Sequence, residues 1–319
     1  MKLITKEFNQ KTGIQNYLDL IDPESDMTNS TKIISEIFRY DVPLQKYTSF
    51  KTGGAAEIFV EPLGALELKR VLQFCKAEQK KIFIFGKGTN LLVGDNGVKG
   101  VVIHLGGINF KNLERDGRYV LAGGGVNLPK LIRTVALSGF GGLEALAGIP
   151  GTVGGAVMMN AGGKYGDISD TIRSLTTMAF DGTITKYMRG DVEFEYRRCS
   201  LSEQIVIEVE FQLNESKIEI VLEKMDKIYN EKQESQPLGT FNAGSIFKNA
   251  AEYKAAELID KANLKGLKVG GAVVSEKHAN FIVNTGNATS TDILDLIKII
   301  KETIKKKYDV SLEEEIHIW

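Results

Sequence analysis

The sequence predicts a globular protein of mixed helices and strands, divided into two or three domains. Its 319 residues are enough to bury more than one hydrophobic core. Hydrophobic residues make up 43% and charged residues 25%, as in an ordinary soluble chain. Short apolar runs typical of buried strands are interleaved with apolar stripes at helical spacing. A shift in composition near 214–216 predicts a boundary between domains 1–215 and 216–319.

Charge and cysteine content exclude several classes of protein. Forty Lys and Arg residues against 41 Asp and Glu give a net charge of -1, which argues against a nucleic-acid binder that works through a basic field. The two cysteines, Cys75 and Cys199, cannot form a disulfide framework, and no CxxC or HExxH pattern predicts a metal site. The polar start and the absence of an apolar run near ~18 residues predict neither secretion nor membrane insertion. We expect a cytoplasmic protein.

The elements of the first half follow from apolar spacing. Apolar positions three and four residues apart predict helices, and short continuous apolar runs predict buried strands. The predicted order is a helix over 63–79, strands over 81–85, 101–105 and 119–122, and a helix that starts at Leu128. In the first of these helices Cys75 is expected to be a core residue.

The second half begins with a predicted hairpin. Asp181-Gly182 separates two strand-like runs within 171–188, and Asp-Gly is a strong hairpin signal. An alternating strand follows over 205–213, and then a capping box, Ser216-x-x-Glu219, starts a helix. The apolar stripe of that helix is interpreted as core and comprises Ile218, Val221, Leu222, Met225, Ile228 and Tyr229.

The remaining elements follow a polar loop over 236–249 that is bent by proline and glycine. We expect a helix that ends at Gly266, a glycine turn with a strand pair over 267–284, a helix over about 291–307 and a last strand over 312–319. In a strand, Glu313 and Glu315 would share one face, opposite Glu314.

Glycine is enriched and concentrated in one stretch. Thirty-three of 319 residues are glycine, about 10% against a usual ~7%, and 20 of the 33 fall between Gly86 and Gly163. Glycine at a strand end lets main-chain N–H groups approach a ligand and form a concave anion site. One such loop would be interpreted as a tight turn, but three in one region predict a phosphate-bearing cofactor. The GxGxxG and GxxxxGK[ST] fingerprints are both absent, so the expected cradle is of another type.

Two further groups are candidates for ligand contact. Tyr196-Arg197-Arg198 combines an aromatic ring with two guanidinium groups, which predicts either a surface cation–π pair or a carboxylate or phosphate anchor. Of the three histidines, His278 has the neighbourhood most suited to a ligand contact, and none belongs to a metal-ligand pair.

Several segments resemble, in the same order, one enzyme family. They are YTSFKTGG, FGKGTNLLVGDNG, GLEALAGIPGTVGGAVMMNAGG, YRRCS, NAGSIFKN, SEKHANFIVN and LEEEI. From about residue 40 to the end, the chain resembles the UDP-N-acetylenolpyruvoylglucosamine reductases, in their shorter subtype. The resemblance implies an α+β protein with a two-lobed FAD-binding domain of the vanillyl-alcohol-oxidase (PCMH) type and an α/β substrate-binding domain. Residues 1–39 carry no family signal, and the last strand, about 310–319, is a candidate to return to the flavin domain.

The resemblance also implies the ligands and their residues. By this resemblance we expect non-covalent FAD as the cofactor, NADPH as the co-substrate and UDP-N-acetylglucosamine enolpyruvate as the substrate. The implied flavin contacts are Gly86, Lys87, Gly88, Thr89, Asn90, Leu91, Gly148, Ile149, Pro150, Gly151, Thr152, Gly154, Gly155 and Gly162.

The implied catalytic residues are Arg197, Ser245 and Glu315, where the arginine stabilises charge, the serine donates a proton and the glutamate assists at the carboxylate. Secondary candidates for the substrate are Tyr196, Asn249, Lys277 and His278. Two alternatives stay open at this point, a flavin-dependent alcohol or sugar oxidase of the same fold and a catalytically silent nucleotide-sugar sensor.

Overall fold

The computed structural model describes residues 4–5 and 37–319. Most of the segment 1–39, which carries no family signal in the sequence, lies outside the described residues, namely 1–3 and 6–36. Within the described part of the chain the α-helices are α1 (Ala65–Ala77), α2 (Leu128–Ala136), α3 (Val153–Met158), α4 (Ile218–Ser235), α5 (Ala255–Lys261) and α6 (Ser290–Tyr308).

The strands are mostly short. In chain order they are β1 (Ile4–Thr5), β2 (Arg39–Pro43), β3 (Ala55–Val60), β4 (Ile82–Phe85), β5 (Leu91–Leu92), β6 (Val98–His104), β7 (Leu113–Asp116), β8 (Tyr119–Gly123), β9 (Phe140–Gly141), β10 (Gly162–Gly163), β11 (Gly166–Asp167), β12 (Ile172–Ala179), β13 (Ile184–Met188), β14 (Phe194–Glu195), β15 (Arg198–Cys199), β16 (Gln204–Gln212), β17 (Asn214–Glu215), β18 (Lys268–Val269), β19 (Ala272–Val274), β20 (Ile282–Asn284) and β21 (His317–Ile318).

The chain divides into two compact units, each built from separate stretches of sequence. The first contains Ile58–Gly86, Gly100–Tyr229 and the described residues up to Arg39. The second contains Tyr40–Glu57, Lys87–Lys99 and Asn230–Trp319. The predicted boundary between residues 215 and 216 lies within the first unit. The division into a flavin domain and a substrate domain stays a prediction.

A six-stranded sheet dominates the first unit, in the order β1-β7-β8-β16-β12-β13. The predicted Asp-Gly hairpin is confirmed, because β12 and β13 are antiparallel and Asp181 accepts a hydrogen bond from the Thr183 N–H at 2.8 Å. Alternating residues of β16, among them Val209 and Phe211, share one core with the apolar faces of α2 and α3. The predicted strands and the helix at Leu128 are thereby confirmed.

A second core of the first unit lies against α1. The predicted helix over 63–79 is confirmed, and it buries Cys75 as expected. Burial raises the pKa of the Cys75 thiol to about 11, which suits a core residue. Strand β4 pairs in parallel with β6, with Ile82 opposite Val101, and ends immediately before Gly86. This pairing places the first glycine loop at the carboxyl end of a sheet strand.

The second unit has its own core around α6. A capping box starts this helix, since Thr289 accepts a hydrogen bond from the Asp292 N–H and Asp292 accepts one from the Thr289 N–H. The predicted helix over about 291–307 is confirmed, and its apolar residues at helical spacing are buried: Ile293, Leu296, Ile297, Ile300 and Ile304. Strands β18, β19 and β20 form an antiparallel sheet, and β21 pairs in parallel with β5, directly after the first glycine loop.

Three sequence predictions about these elements are wrong in part. Helix α5 ends at Lys261 rather than Gly266, because Asn263 adopts a left-handed conformation with φ 59° that interrupts the helix. In α4 only Val221 and Ile228 are fully buried, so the apolar stripe is covered along a narrow line. The last strand is limited to β21, because residues 313–315 follow an irregular path instead of alternating.

Candidate active site

Two stretches of predicted flavin contacts, the one that begins at Gly86 and the loop Gly148–Gly155, meet at Gly86 in the first unit. Gly86 follows β4 directly, and a Cβ atom at this position would collide with Oγ1 of Thr152. Thr152 is the N-cap residue of α3, and its Oγ1 accepts a hydrogen bond from the Gly155 N–H at 3.3 Å. Only glycine fits here without moving the cap. The close approach brings the end of β4 beside the loop Gly148–Gly155.

The glycine loop over 123–127 lies beside the loop over 148–155 in the same unit. The Gly154 N–H donates to the Gly124 carbonyl at 2.8 Å, and the Val153 N–H donates to the Val126 carbonyl at 2.9 Å. Some main-chain groups of the two loops therefore satisfy each other. Along the second loop Pro150 and Gly155 are exposed, so part of the predicted cradle stays accessible to a ligand.

The other part of the first flavin loop, residues 87–91, belongs to the second unit. Gly88 has φ 59°, and a Cβ atom there would lie 2.5 Å from the Tyr47 carbonyl oxygen, so a side chain is excluded. The Asn90 side chain donates to the Glu315 carbonyl at 3.0 Å, and the Asn90 carbonyl accepts from the His317 N–H at 3.0 Å. Asn90 thus fastens the loop to the segment that carries Glu315.

Arg197 lies in a tight turn of the first unit. Strands β14 and β15 pair with Glu195 opposite Arg198, which leaves Tyr196 and Arg197 as the two turn residues. Arg197 has φ 57°, a conformation uncommon for residues with a side chain and enriched at functional sites. Its guanidinium lies 4.8 Å from the centre of the Tyr196 ring. The structure therefore contains the predicted cation–π pair, and it is compatible with an anion anchor as well.

An acidic group lies close enough to Arg197 to feel its charge. Burial and the neighbouring Asp170 raise the pKa of Asp167, while Arg197 lowers it. Asp167 pairs with Gly162 across β10 and β11, so the candidate flavin residue Gly162 belongs to the same small hairpin. Asn160, just before that hairpin, donates from its side chain to the Glu195 carbonyl at 3.1 Å. The two hairpins are joined by this hydrogen bond.

The loop that carries Ser245 is ordered by hydrogen bonds of its own. The Asn242 side chain accepts from the Gly244 N–H at 2.9 Å, and Gly244 has φ 80° at the bend. Ser245 follows the bend and is half-buried. Within the described part of the chain its hydroxyl makes no hydrogen bond. The hydroxyl can therefore donate to a ligand without first breaking an internal bond.

Asn280 holds the residues after Ser245, and sequence reasoning did not identify it. Its side-chain oxygen accepts from the Phe247 N–H at 2.9 Å, and its side-chain nitrogen donates to the Phe247 carbonyl at 2.8 Å. Its own carbonyl accepts from the Ile246 N–H at 2.9 Å. Asn280 is 3% exposed. The only sequence signal was an asparagine among apolar residues in SEKHANFIVN.

The three terminal glutamates differ in their contacts. Glu313 forms an ion pair with Lys248, and Glu314 forms one with Lys301 at 2.7 Å. The Glu315 N–H donates to the Ile246 carbonyl at 2.7 Å, which places residue 315 beside the Ser245 loop. Glu313 and Glu314 are thus committed to lysines.

The secondary candidates occupy separate places. Tyr196 is exposed in the turn with Arg197, whereas the Asn249 side chain accepts from the Ala255 N–H at 3.0 Å at the start of α5. Lys277 donates to the Gln233 carbonyl. Burial, and then the charge of Lys265, lower the pKa of His278. The structure brings Lys277 and His278 together in one turn, where both N–H groups donate to Oγ of Ser275.

Comparison with known proteins identifies the family. A profile described as "FAD binding domain" matches residues 56–187, and one described as "UDP-N-acetylenolpyruvoylglucosamine reductase, C-terminal domain" matches residues 236–319. UDP-N-acetylenolpyruvoylglucosamine reductase 1 of Bacillus cereus is 43% identical over 281 residues, which cover 87% of this chain and 93% of that protein. The chain belongs to this reductase family.

Two further relatives are similar over most of their length. The UDP-N-acetylenolpyruvoylglucosamine reductase of Clostridium novyi is 39% identical over 285 residues, 89% of this chain and 92% of that protein. The crystal structure of the UDP-N-acetylenolpyruvylglucosamine reductase of Thermus caldophilus matches with a TM-score of 0.78 and 36% identity, over 88% of this chain and 99% of that one.

Family membership confirms the resemblance, the α+β fold with a flavin-binding domain, and the use of FAD and NADPH. The protein is an oxidoreductase of peptidoglycan synthesis, and the oxidase alternative is not favoured. The tight glycine approaches at residues 86 and 88 are of the kind that a flavin cradle needs. None of the described helices is long and apolar enough to cross a membrane, and the described residues hold no cluster of three or more potential metal ligands.

Proposed function

We propose that the chain reduces the enolpyruvyl group of UDP-N-acetylglucosamine enolpyruvate to give UDP-N-acetylmuramate, with Arg197, Ser245 and Glu315 as its catalytic residues. The observation that carries the assignment of residues is the 2.7 Å hydrogen bond from the Glu315 N–H to the Ile246 carbonyl. This main-chain bond joins the residue that carries the proposed acid to the residue after Ser245, which supports assigning both to one site. We also propose a cytoplasmic location, which NADPH as co-substrate and two free buried cysteines support.

The reaction adds a hydride and a proton across one carbon–carbon double bond. Bound FAD would supply the hydride for the terminal vinyl carbon of the substrate, with NADPH as the source of that hydride. The electron pair of the double bond moves to the adjacent carbon and is shared with the carboxylate. A proton must then reach that carbon. The chain's own task is to hold the substrate, stabilise this charge and deliver the proton.

Arg197 suits the stabilisation of charge. Its guanidinium is cationic at every relevant pH, and its planar N–H donors match the geometry of a carboxylate. The turn holds the backbone of Arg197 at φ 57°, and its guanidinium lies 4.8 Å from the centre of the Tyr196 ring. A cation oriented in advance toward developing negative charge lowers the barrier of the reaction.

Ser245 suits proton delivery to carbon. A hydroxyl is a weak acid, and it becomes an effective donor only toward a strongly basic acceptor held within hydrogen-bond reach. The residues after Ser245 are fixed by Asn280, and its hydroxyl makes no hydrogen bond to the described residues. These features support a donor that is positioned but not already engaged.

Glu315 suits a hydrogen bond to the substrate's carboxylate. Such a bond needs a protonated or proton-sharing acid, because two carboxylates repel each other. Glu313 and Glu314 are ion-paired with lysines, which makes them poorer candidates for this role. Glu315 is half-buried and lies next to the Ser245 loop.

The test separates the two half-reactions. Under anaerobic conditions NADPH should bleach the yellow protein, and the enolpyruvyl substrate should then restore the colour in one turnover. Bleaching without recovery would contradict the proposed reaction. Recovery would also exclude a silent sensor, because a sensor binds the nucleotide sugar without accepting electrons.

A further inference from the structure

We propose that Asn280 is a positioning residue for the reduction of the substrate. It aligns residues 246 and 247, the first of which follows Ser245 in the chain and is hydrogen-bonded to Glu315. The proposal rests on the proposed function, since it takes Ser245 as the proton donor and Glu315 as the acid at the carboxylate. The hydrogen bonds of Asn280 toward this segment go to Ile246 and Phe247. Asn280 therefore acts on both proposed catalytic residues through the main chain of Ile246 and Phe247.

The side chain of Asn280 pairs with Phe247 as a neighbouring strand would. Its oxygen accepts from the Phe247 N–H at 2.9 Å and its nitrogen donates to the Phe247 carbonyl at 2.8 Å. Both bonds are buried, and both groups of Phe247 are satisfied by one amide. Removing this amide would leave two main-chain groups of Phe247 without partners in the interior.

The peptide groups of Ile246 connect this pair to Glu315. The Ile246 N–H donates to the Asn280 carbonyl at 2.9 Å, and the Ile246 carbonyl accepts from the Glu315 N–H at 2.7 Å. Ile246 is therefore held on one side by residue 280 and on the other by residue 315. A shift of this residue moves Ser245, its chain neighbour, and weakens the support of Glu315 at the same time.

Asn280 is itself fixed by the turn before it. Its N–H donates to Nδ1 of His278 at 3.3 Å, and the Phe281 N–H donates to the His278 carbonyl at 3.0 Å. Nδ1 can accept this bond only in the neutral imidazole, and burial lowers the pKa of His278 in that direction. The turn at His278 thus fixes the main chain of Asn280, and the side chain of Asn280 binds the Ser245 loop.

The two half-reactions respond differently to a positioning role. Flavin reduction by NADPH needs neither the proton donor nor Glu315, whereas reoxidation by the substrate needs both. A displacement of about 1 Å in a catalytic group can slow a step about 100-fold. Loss of Asn280 should therefore slow reoxidation selectively. A role in folding alone would affect both steps in proportion to the folded fraction.

The experiment uses the flavin-loaded protein in anaerobic stopped flow. Asn280→Ala should reoxidise about 10- to 100-fold more slowly with the enolpyruvyl substrate, and its reduction by NADPH should stay within about twofold of the wild-type rate. Asn280→Asp keeps the acceptor for the Phe247 N–H but sets a carboxylate oxygen against the Phe247 carbonyl. It should slow reoxidation as well, and it provides a second variant of nearly the same size if the alanine variant does not fold.

Asn284→Ala is the matched control. Asn284 is equally buried, and its side chain also binds main-chain groups, those of Phe50, Gly286 and Ala288, without reaching the Ser245 loop. The ratio of its two rates should stay within about twofold of wild type. If the Asn280 variants slow both steps equally, or if they reoxidise at the wild-type rate, the positioning role is overturned.

A second readout does not depend on catalysis. Hydrogen exchange of the Phe247 amide should become faster in Asn280→Ala, which removes its acceptor, and stay unchanged in Asn284→Ala. Unchanged protection in Asn280→Ala would overturn the positioning role even if the proposed reaction holds. Failure of the wild-type protein to reoxidise with substrate would instead overturn the proposed function, so the two failures are distinguishable.

Discussion

Arg197 and Arg198 are adjacent cations in one hairpin, and they differ in their surroundings. Arg197 occupies the turn with φ 57° and lies over the Tyr196 ring. Arg198 belongs to β15 and pairs with Glu195 at 3.4 Å, with 72% of its side chain exposed. An exposed ion pair of this kind contributes little to stability. The pair therefore offers an internal comparison between a proposed catalytic arginine and a surface arginine.

Arg197→Gln should slow substrate-dependent flavin reoxidation about 100-fold, the usual cost of removing one preorganised charge-stabilising donor. Arg198→Gln should stay within about threefold of wild type. Rapid-reaction absorbance of the flavin measures both variants. Similar losses in the two variants would show that the hairpin, rather than the Arg197 guanidinium, is what matters.

Ser245→Ala should leave reduction by NADPH nearly intact and slow reoxidation by the substrate about 10²- to 10⁴-fold, the range for loss of a general acid. The control is Ser311→Ala, an exposed serine of the second unit. Equal loss in both half-reactions would contradict the role of Ser245 as proton donor.

At the level of elements, the close contact between the end of β4 and the cap of α3 forms part of the predicted flavin cradle. Gly86→Ala forces a Cβ atom against Oγ1 of Thr152 and should displace the cap, which is worth about 1 kcal/mol. We expect at least about fivefold weaker FAD binding, measured by quenching of flavin fluorescence. Gly190→Ala is the control, because a Cβ atom there meets nothing within 4 Å. Unchanged FAD affinity in Gly86→Ala would contradict a role of this contact in FAD binding.

The elements with a local signal could be predicted from the sequence. Helix α6 combines a capping box with apolar residues at helical spacing, and the β12–β13 hairpin combines Asp-Gly with two apolar runs, so each is specified by its own residues. Glycine loops pointed to a phosphate-bearing cofactor for the same reason. The catalytic assignments came from resemblance and stay proposals.

Features that depend on distant residues could not be predicted. Ile246 and Glu315 are joined by a main-chain hydrogen bond between segments far apart in sequence, and no side-chain pattern encodes it. The side-chain amide of Asn280 pairs with the main chain of Phe247, and nothing in the sequence distinguishes this asparagine from one in an ordinary loop. The positive φ of Arg197 was missed because neither glycine nor asparagine marks that turn.

On the scale of the whole molecule, a half-buried carboxylate links stability to pH. Burial raises the pKa of Glu208, in β16, from its ordinary 4.5 to about 7, with Lys186 opposing and Glu114 and Glu210 adding to the rise. The folded protein therefore holds this proton at pH values where the unfolded chain has lost it. Folding stability falls as pH rises from about 4.5 to about 7, and the penalty is complete above that range.

Glu208→Gln removes this penalty because the amide does not ionise. Relative to wild type, the variant should gain about 3 kcal/mol in unfolding free energy between pH 4 and pH 8, because folding raises the pKa of Glu208 from 4.5 to about 7 and a tenfold difference in proton affinity is worth about 1.4 kcal/mol. Urea unfolding at the two pH values measures the gain. Glu215→Gln, at an exposed position of β17, is the control variant. A pH-independent effect of Glu208→Gln would contradict the raised pKa of Glu208.

The central claim is that this chain passes electrons from NADPH through FAD to an enolpyruvyl nucleotide sugar. An anaerobic titration of the flavin spectrum tests it most directly, first with NADPH and then with UDP-N-acetylglucosamine enolpyruvate. We predict complete bleaching by one equivalent of NADPH and complete recovery of the oxidised spectrum by one equivalent of the substrate. A flavin that is bleached by NADPH and stays bleached when the substrate is added would contradict the account.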